Sequence, residues 1–424
     1  MMIRFPIGQR SNPNRTVKGL GLTASLMLFL SFPGSSQTWD QEHTFRVFKE
    51  NGVTIAETGG GPRYSGEIFR YERLVTLHED ESRPGSLMGR PFVYNLMGED
   101  GSVFITDSQF NRVLRFDATG EYLHDIGGQG RGPGEYLVPR PLSAEDGIVT
   151  IYDRQMNRTS FYRYDGTFLE SITTFRRRSL DIDAIHRGPS SEQIFLESRT
   201  SFEGRRAYVY FTSTATIYSA GQDTIAALMS GPVKGYYQID GLICWRLFSG
   251  YPSARYHADF GIIMTTGEQP VFKYYDLEGN LYRIIRLDLP AERVTNQERR
   301  EWAAAERRMI EQEPPESLSR ERERLRRVEF NDPKGFWTDV TVDEDGYIWA
   351  ERPGNTFRTF TRYSRSYEHL VFNPEGEFLG ITNLPGASAI SRGHLITRQD
   401  NEETAGIEMV IYRIVPAVPG LEYP

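Results

Sequence analysis

Hydrophobic and polar residues alternate in two stretches of the chain that are copies of each other. Residues 98–123 and 144–169 align without a gap, 46 positions apart, and are identical at 11 of 26 positions. In each copy an Asp-Gly pair precedes a short alternating run, as expected of a tight turn followed by a half-buried strand. Two further turns follow, so each copy predicts four short antiparallel strands.

The same rhythm continues, less well preserved, to the end of the chain. It predicts six units, at about 92–126, 137–173, 180–228, 235–288, 336–382 and 387–413. A strand-rich repeat of roughly 40–50 residues is the signature of a β-propeller blade. The sixth unit lacks an outer strand, and residues 45–57 fit the missing one. We therefore predict that this N-terminal strand pairs with residues 407–413 and closes the ring, which removes two open edges.

A glycine-rich connection joins the first two clear units. It is Gly127–Tyr136, with the sequence G-G-Q-G-R-G-P-G-E-Y. Together with the D-x-x-x-N-R turns at 107–112 and 153–158, it resembles the exported bacterial six-bladed β-propeller family, which is NHL-repeat-like. The resemblance implies an all-β fold, a six-bladed β-propeller of four-stranded antiparallel blades. The glycines alone suggest a phosphate loop, but they lack G-K-[ST] and open no helix, which favours a crossover with unusual backbone angles.

One segment, about 291–329, interrupts the strand rhythm with helical periodicity. Thr295 and Glu298 fit a capping box, the apolar residues that follow fall on one helical face, and Pro314-Pro315 ends the first of two helices. The sequence therefore predicts a small α-helical insertion between the fourth and fifth blades. A lid over the channel, a partner-docking element and a packing decoration are all compatible with it.

The first 36 residues have the pattern of a secretory signal peptide. Four basic residues and no acid precede the apolar run Leu20–Phe32, and small residues follow at Gly34–Ser36. This run of 13 residues is short of the roughly 20 that a membrane span needs, so we expect no stable membrane insertion. The sequence predicts a signal peptide at 1–36 and a mature propeller at 37–424, located in the periplasm or secreted.

Charge and cysteine content narrow the classes of function. The formal net charge is −8, and loss of the four basic residues of the signal peptide gives −8 − 4 = −12. An acidic domain is a poor partner for nucleic acid, since phosphate affinity needs clustered Lys and Arg.

Cys244 is the only cysteine, and its apolar neighbours predict a buried thiol rather than a nucleophile. We expect a monomer.

The sequence contains no linear motif for catalysis. The seven histidines are scattered singly, without the spacing of a zinc site, and there is no serine-nucleophile elbow. Asp107, Asn111, Asp153 and Asn157 are calcium-type oxygen donors, but their recurrence at the same turn favours structural capping. We expect no catalytic residue, no metal and no other cofactor. The alternative is a divalent metal, Ca or Zn, in a lactonase-like or amidating-lyase-like propeller hydrolase or lyase.

Aromatic and arginine side chains on the predicted early strands form the candidate ligand site. Early strands line the channel of a propeller, and Trp245, Arg246, Trp337 and Trp349 lie in or beside them. Such side chains suit a sugar, a peptide or a small organic acid, although packing between blades also needs aromatics. The sequence thus predicts an exported binding or scaffolding module rather than an enzyme, with a small molecule, a glycan or a protein as its partner. A channel lined by aromatics and one or two arginines would favour the binder, and three or more converging metal-ligating side chains would favour the enzyme.

Overall fold

The computed structural model describes most of the chain after the predicted signal peptide. The described residues are 42–77, 79, 82, 84–89, 91, 94–173, 181–187, 193–205, 208–219, 223–239, 242–311, 314–353, 368–401 and 406–424. The predicted signal peptide, 1–36, lies outside them. So does the cleavage site that the sequence suggests.

Strands make up almost all of the regular structure in the described residues, and two helices interrupt them late in the chain. The chain begins with β1 (Thr44–Glu50), β2 (Val53–Gly59) and β3 (Phe69–Thr76). Next come β4 (Leu96–Met97), β5 (Val103–Asp107), β6 (Arg112–Phe116), β7 (Tyr122–Ile126), β8 (Gly128–Gln129), β9 (Glu135–Tyr136), β10 (Pro139–Glu145), β11 (Ile148–Asp153), β12 (Arg158–Arg163) and β13 (Phe168–Thr173). They are followed by β14 (Asp181–Arg187), β15 (Gln193–Arg205), β16 (Tyr208–Ser219), β17 (Thr224–Ile239), β18 (Leu242–Leu247), β19 (Ser253–His257), β20 (Gly261–Thr265), β21 (Val271–Tyr275) and β22 (Leu281–Leu287). The chain ends with α1 (Asn296–Ile310), α2 (Pro315–Arg326), β23 (Glu329–Phe330), β24 (Asp339–Val342), β25 (Ile348–Glu351), β26 (Glu368–Phe372), β27 (Phe378–Asn383), β28 (Ala387–Ser391), β29 (His394–Asn401) and β30 (Gly406–Pro416).

The larger sheets are the blades of a propeller. Blade 1 is β4–β7, blade 2 is β10–β13, and blade 3 is β14–β18 with β23. Blade 4 is β19–β22 with β2 and β1 outside it, blade 5 is β24–β27, and blade 6 is β28–β30 with β3. The first strands β4, β10, β14, β19 and β24 contact one another in succession, and β28 contacts β4. The first strands therefore surround a central channel.

The hydrophobic core consists of layers between neighbouring blades. Between blades 4 and 5, Phe272 stacks on Trp337 with ring centroids 4.6 Å apart. Between blades 5 and 6, Trp349 stacks on Phe69 at 5.2 Å. Similar buried clusters join blades 6 and 1, blades 1 and 2, and blades 3 and 4. Blades 1, 4, 5 and 6 each bury both faces against their neighbours, which explains the apolar residues on both sides of their strands.

The turns of the two sequence copies have matching backbone conformations. Asn111 and Asn157 are both at φ 50°, and Gly120 and Gly166 are both at φ 86°. Left-handed positions of this kind favour Asn and Gly, so the repeat encodes the blade locally. The predicted all-β propeller with a small helical insertion is confirmed, although blades 3 and 4 have six strands rather than four.

The strand that closes the ring is not the predicted one. Residues 45–57 form most of the hairpin β1–β2, and β2 pairs in parallel with β22 on the outside of blade 4. β3 instead supplies the outer strand of blade 6, antiparallel to β30. The prediction was wrong because the Asn51-Gly52 turn of this hairpin has the local pattern of a blade turn, while the choice of partner strand is made by distant residues.

The boundary between blades 3 and 4 also differs from the prediction. The sequence suggested that blade 4 begins near residue 235, but β17 and β18 belong to blade 3 and extend it to Leu247. Blade 4 begins at Ser253. The hairpins of blade 3 are unusually long, and their length hides the period of the repeat.

The helical insertion packs on the end of β18. The capping box is present: the backbone N–H of Glu298 donates to Thr295 Oγ1 at 3.1 Å, and that of Thr295 donates to the Glu298 carboxylate at 2.8 Å. Val294 and Trp302 are buried against Leu247 and Phe248. The insertion is thereby attached to the last strand of blade 3.

Candidate functional site

The strand order gives the central channel two different ends. Within a blade the first and second strands are joined at one end, which we call the turn end. At the opposite end, which we call the connection end, the chain enters each first strand from the preceding blade. The connection Gly127–Tyr136 and the helical insertion both belong to the connection end, because each precedes the first strand of a blade.

Two of the four predicted ligand residues are buried between blades. Trp337 is 0% exposed, and its Nε1–H donates to Thr265 Oγ1 at 2.8 Å. Trp349 is also 0% exposed, and its Nε1–H donates to Asp343 Oδ2 at 2.9 Å. Neither ring is accessible to a ligand in this structure. Both rings belong to the packing between blades, which is the alternative that the sequence leaves open.

The other two predicted residues lie on β18 in blade 3. Trp245 is paired with Tyr236 of β17 along the strand, and its side chain is outside the described part of the structure. Arg246 is half-buried and donates to the Glu329 carboxylate through Nε at 2.9 Å. Nearby Cys244 is buried, and burial raises the pKa of its thiol, as expected for a structural cysteine. Arg246 is thus paired with Glu329, whereas Trp337 and Trp349 are buried in two different layers between blades.

The connection end carries an exposed tyrosine on blade 1 and a half-buried arginine on blade 2 that contact each other. Tyr94 lies two residues before β4, and Arg140 is the second residue of β10. The Arg140 guanidinium lies 4.1 Å from the centroid of the Tyr94 ring, and Tyr94 is 40% exposed. A guanidinium over an aromatic face is held by cation–π attraction. The pair therefore offers a pre-ordered platform at the channel.

A second arginine projects from the first strand of blade 4. Arg255 donates to the backbone oxygen of Val340 through Nε at 2.8 Å and to Asp339 Oδ1 through Nη2 at 2.9 Å. Both partners are on β24, the first strand of blade 5. The Asp339 side chain is 48% exposed. The first strands thus present arginines and a carboxylate as well as an aromatic ring.

The D-x-x-x-N-R turns are structural caps. Asp107 is 0% exposed, and its carboxylate accepts the N–H groups of Gly89 and Gln109, both at 3.0 Å. Asp153 accepts those of Leu137 at 2.6 Å and Gln155 at 2.8 Å. Both oxygens of each carboxylate accept N–H groups of the backbone. The interpretation as capping residues is confirmed for Asp107 and Asp153.

The glycine-rich connection is also satisfied internally. Gly128 N–H donates to the Gly134 oxygen, Gly130 N–H to the Tyr136 oxygen, and Gly132 N–H to the Glu135 carboxylate. Gly130 and Gly134 are at φ 157° and 73°, so the connection needs glycine for its backbone path. The N–H groups that a phosphate loop would aim at a ligand are used within the connection itself.

A belt of polar contacts runs around the turn end. His257 Nε2 donates to the backbone oxygen of Glu344 at 3.1 Å, linking blades 4 and 5. The Glu344 carboxylate accepts Ser391 Oγ–H and Arg392 N–H, both at 2.7 Å, linking blades 5 and 6. Ser391 Oγ accepts Met97 N–H at 3.2 Å, linking blades 6 and 1.

Arg392 occupies an unusual position in this belt. Its φ is 48°, in a two-residue turn with Gly393 where Asn or Asp is usual. Its side chain donates to the backbone oxygens of Met97 and Ala144, both at 3.3 Å, so it reaches blades 1 and 2. A left-handed arginine costs on the order of 1 kcal/mol. The cross-blade contacts offset this cost.

Acidic side chains surround Arg392 at the turn end. Glu99 lies 3.8 Å from its guanidinium and accepts Asp146 N–H at 2.9 Å. Desolvation raises the pKa of Glu145, although the residue keeps an exposed surface. Glu344, Glu99 and Asp146 also raise it by repulsion, while Arg392 acts in the opposite direction. The ionised form of Glu145 is therefore unfavourable in the folded protein.

We expect Glu145→Gln to increase the melting temperature at pH 7. The folded-state pKa of Glu145 is above its ordinary value, so ionisation costs stability at pH values above that range, and glutamine removes the charge. The gain in melting temperature should disappear as the pH falls below the ordinary pKa of glutamate, because Glu145 is then protonated in both the folded and the unfolded protein. Thermal unfolding of the variant and parent at pH 7 and near pH 4 measures this. A variant that melts below the parent at pH 7 would contradict it.

Within the described ranges, no group of three or more His, Cys, Asp or Glu side chains is arranged to hold a metal ion. Among the same residues no helix is long and apolar enough to cross a membrane.

Sequence reasoning missed the exposed pair and the unusual arginine. Tyr94 falls just before a strand of only two residues, and no residue pattern marks its pairing with Arg140. Arg392 did leave a signal, because Arg-Gly stands where the first turns of blades 1 and 2 have Asp-Gly at 100–101 and 146–147. A turn that replaces its usual residue by arginine points to contacts made by the side chain.

The sheets, the channel and the inter-blade layers define the protein as a β-propeller. The model of the 6-bladed β-propeller family known as DUF5128 matches residues 91–227. This match confirms the resemblance to six-bladed propellers that the repeat and the glycine-rich connection indicate. No curated protein sequence matches the chain.

Several solved structures are similar to the chain at low identity. A protein from Bacteroides fragilis, named as exported, is 11% identical, with 85% of this chain and 99% of that chain covered and a TM-score of 0.46. A member of the DUF4221 family from Bacteroides vulgatus is 12% identical, with 82% and 99% covered and a TM-score of 0.42. Virginiamycin B lyase from Staphylococcus aureus is 11% identical, with 84% and 90% covered and a TM-score of 0.37. These scores lie below 0.5, so the fold assignment rests on the chain's own sheets and on the family match.

Proposed function

We propose that the protein is an exported binding propeller whose ligand, a sugar or glycan, is held at the connection end of the channel by Tyr94 and Arg140. The observation that supports this most is the Arg140 guanidinium 4.1 Å above a Tyr94 ring that stays 40% exposed. Tyrosine and arginine are the side chains that most often dominate binding energy. The pair is also ordered before a ligand arrives, which lowers the entropic cost of binding.

The chemistry of the groups on and beside the first strands suits a sugar. The exposed part of Tyr94 offers an apolar face to ring C–H groups, Arg140 is a planar donor, and the Asp339 carboxylate is an acceptor for hydroxyl groups. The proposed location outside the cytoplasm rests on the sequence of residues 1–36, where a basic segment precedes an apolar run.

We expect Tyr94→Ala to weaken ligand binding about fivefold or more, because loss of one stacking aromatic costs roughly 1 kcal/mol. Residues 37–424 would be screened by thermal shift against monosaccharides and oligosaccharides, with dipeptides and organic acids as comparison sets. Hits would then be titrated calorimetrically. Tyr282→Ala is the matched control, since Tyr282 is 36% exposed on β22, the strand of blade 4 on which β2 pairs.

Three outcomes would overturn the proposal. Equal losses in Tyr94→Ala and Tyr282→Ala would show that the pair is not the site. Binding that is lost in Arg246→Ala but kept in Tyr94→Ala would move the site to blade 3. A stoichiometric Ca or Zn, or metal-dependent turnover of a lactone or ester, would favour an enzyme over a binding protein.

A further inference from the structure

The outer edge of blade 4 is different from the edges of the other blades. The hairpin β1–β2 covers the original outer strand β22, and β1 then forms the end of the six-stranded sheet. Within the described residues no strand pairs with the outer side of β1. Val47, in the middle of this strand, is 56% exposed, the highest value among the large hydrophobic residues that are exposed.

This edge lacks the irregularity found at the edges of blades 1, 2, 5 and 6. A β-bulge bends an edge strand and hinders pairing with another chain. The pairings β6–β7, β12–β13, β21–β22, β26–β27 and β3–β30 all contain a register shift. The β1–β2 pairing runs through seven consecutive pairs, Thr44–Gly59 to Glu50–Val53, with none. The edge at β1 is therefore regular and open to a further strand.

The turn of the hairpin determines which backbone groups point outward. Asn51 and Gly52 are at φ 51° and 84°, the conformation of a two-residue type I′ turn. In such a hairpin the residues that flank the turn, Glu50 and Val53, form a hydrogen-bonded pair, and hydrogen-bonded pairs then alternate along the strand. The backbone groups of even-numbered residues 44–50 therefore face β2. Those of residues 45, 47 and 49 face away from the sheet.

We propose that two copies of the chain associate through β1, antiparallel, with the two-fold axis at Val47. In this register Val47 lies opposite Val47 of the second copy, and Phe45 lies opposite Lys49. All six outward N–H and C=O groups of each β1 are then hydrogen-bonded across the axis. This dimer does not depend on the proposed ligand site, and it departs from the monomer expected from the sequence.

The side chains of β1 complement each other in this register. Arg46 faces Phe48 and Thr44 faces Glu50, so no like charges are opposed. Arg46 is diagonal both to Glu50 and to Arg46 of the second copy, and within its own copy it donates to the Glu57 carboxylate through Nε at 3.0 Å. Centring the axis on Arg46 or on Lys49 would instead place two positive charges directly opposite each other. The register centred on Val47 opposes no like charges directly and pairs all six outward backbone groups, which favours a second copy of this same strand as the occupant of the edge.

The first test uses proline at the centre of the strand. The Val47 N–H faces outward, so Val47→Pro removes two hydrogen bonds of the dimer, one from each copy, and none of the hairpin, and proline is tolerated on edge strands. Sedimentation velocity of residues 37–424 across a concentration series should show a dimer for the parent, a dimer for the control Val47→Thr, and a monomer for Val47→Pro. A monomeric parent, or a dimer that persists in Val47→Pro, would overturn the proposal.

The second test measures directly the register in which the two β1 strands pair. Opposed residues of a hydrogen-bonded antiparallel pair have Cα atoms about 5.5 Å apart, which is within the range of a disulfide. Val47→Cys should therefore form a covalent dimer under mild oxidation, while the native Cys244 is buried. Phe45→Cys is the control, because two copies of residue 45 would be roughly 14 Å apart in this register. Equal cross-linking of both variants, or none in Val47→Cys, would exclude it.

Discussion

A chain that begins at residue 80 is expected not to fold, whereas a chain that begins at residue 60 should fold with a reduced melting temperature. Both lack the hairpin β1–β2, and only the shorter one lacks β3. β3 pairs with β30 over most of its length and is the outer strand of blade 6. Without it, blade 6 exposes β30 as a new edge. The hydrophobic layer between blades 5 and 6 also loses Ile68 and Phe69.

The two truncations are expected to lose different amounts of stability. Ile68, Phe69 and Leu77 are 0%, 1% and 3% exposed. Burial of one such side chain contributes roughly 1.5–3 kcal/mol, so their loss removes about 5–9 kcal/mol. That is comparable to the whole stability of a typical domain, about 5–15 kcal/mol. The hairpin buries Ile55 and Ala56 at 1% and 0% exposure, and its loss should cost only about 2–4 kcal/mol.

Circular dichroism and thermal melting of chains that begin at residues 37, 60 and 80 would measure the effect. The chain from residue 80 should lack a cooperative transition or aggregate. A chain from residue 80 that melts like the chain from residue 60 would show that β3 is not needed for closure. The opposite pattern, in which loss of residues 37–59 alone abolishes folding, would restore the hairpin as the closing element.

The repeat predicts the parts of the fold that are encoded by nearby residues. Turn residues such as Gly120 and Gly166 occupy the same left-handed conformation in both copies, and conformational preference acts within a few residues. The capping box at Thr295 is equally local. These features need no knowledge of the rest of the chain, and the structure has them where the sequence indicates.

The features that sequence reasoning misplaced depend on distant residues. β2 and β3 have the same alternating pattern, and only their partners, β22 and β30, decide which of them closes the ring. Likewise an aromatic residue on an early strand has the same pattern whether it faces the channel or the next blade. Trp337 packs on Phe272 of the neighbouring blade, and no periodicity within blade 5 reveals that contact.

The site residues also divide into those that depend on nearby residues and those that depend on distant ones. The caps Asp107 and Asp153 recur in the sequence because each serves its own blade. Tyr94 and Arg140 are on different blades and are 46 positions apart, so their contact follows only from the docking of blade 1 on blade 2. A site assembled across first strands leaves little trace in any one segment.

Asp343→Ala is expected to destabilise the protein by about 3 kcal/mol at pH 7. The carboxylate is 2% exposed and accepts Trp349 Nε1–H at 2.9 Å and Tyr423 OH at 2.8 Å through Oδ2. Its Oδ1 accepts Tyr347 N–H at 2.8 Å. Removal of the carboxylate leaves these donors without a partner, at about 1–3 kcal/mol for each buried one. It also releases Tyr423, which packs edge-on against Trp349 and Phe69.

The cost of Asp343→Ala should depend on pH. Burial raises the pKa of Asp343 from 3.8 to about 6, although its hydrogen bonds oppose the shift. A folded-state pKa above the unfolded one means that the folded protein binds more protons between about pH 4 and pH 6. The contribution of Asp343 to stability is therefore largest below pH 4 and falls as the pH rises through this window. The variant should lose more stability, relative to the parent, at pH 4 than at pH 7, by up to about 3 kcal/mol.

Chemical denaturation of the variant and the parent at pH 4 and pH 7 measures both effects. Asp345→Ala is the matched control, because Asp345 is exposed in the same turn and its loss should change stability by about 0.5 kcal/mol or less. Equal losses for the two variants would show that the buried carboxylate does not hold the C-terminal residues against blade 5. A cost of Asp343→Ala that is smaller at pH 4 than at pH 7 would mean that its hydrogen bonds outweigh burial and that the pKa of Asp343 is lowered.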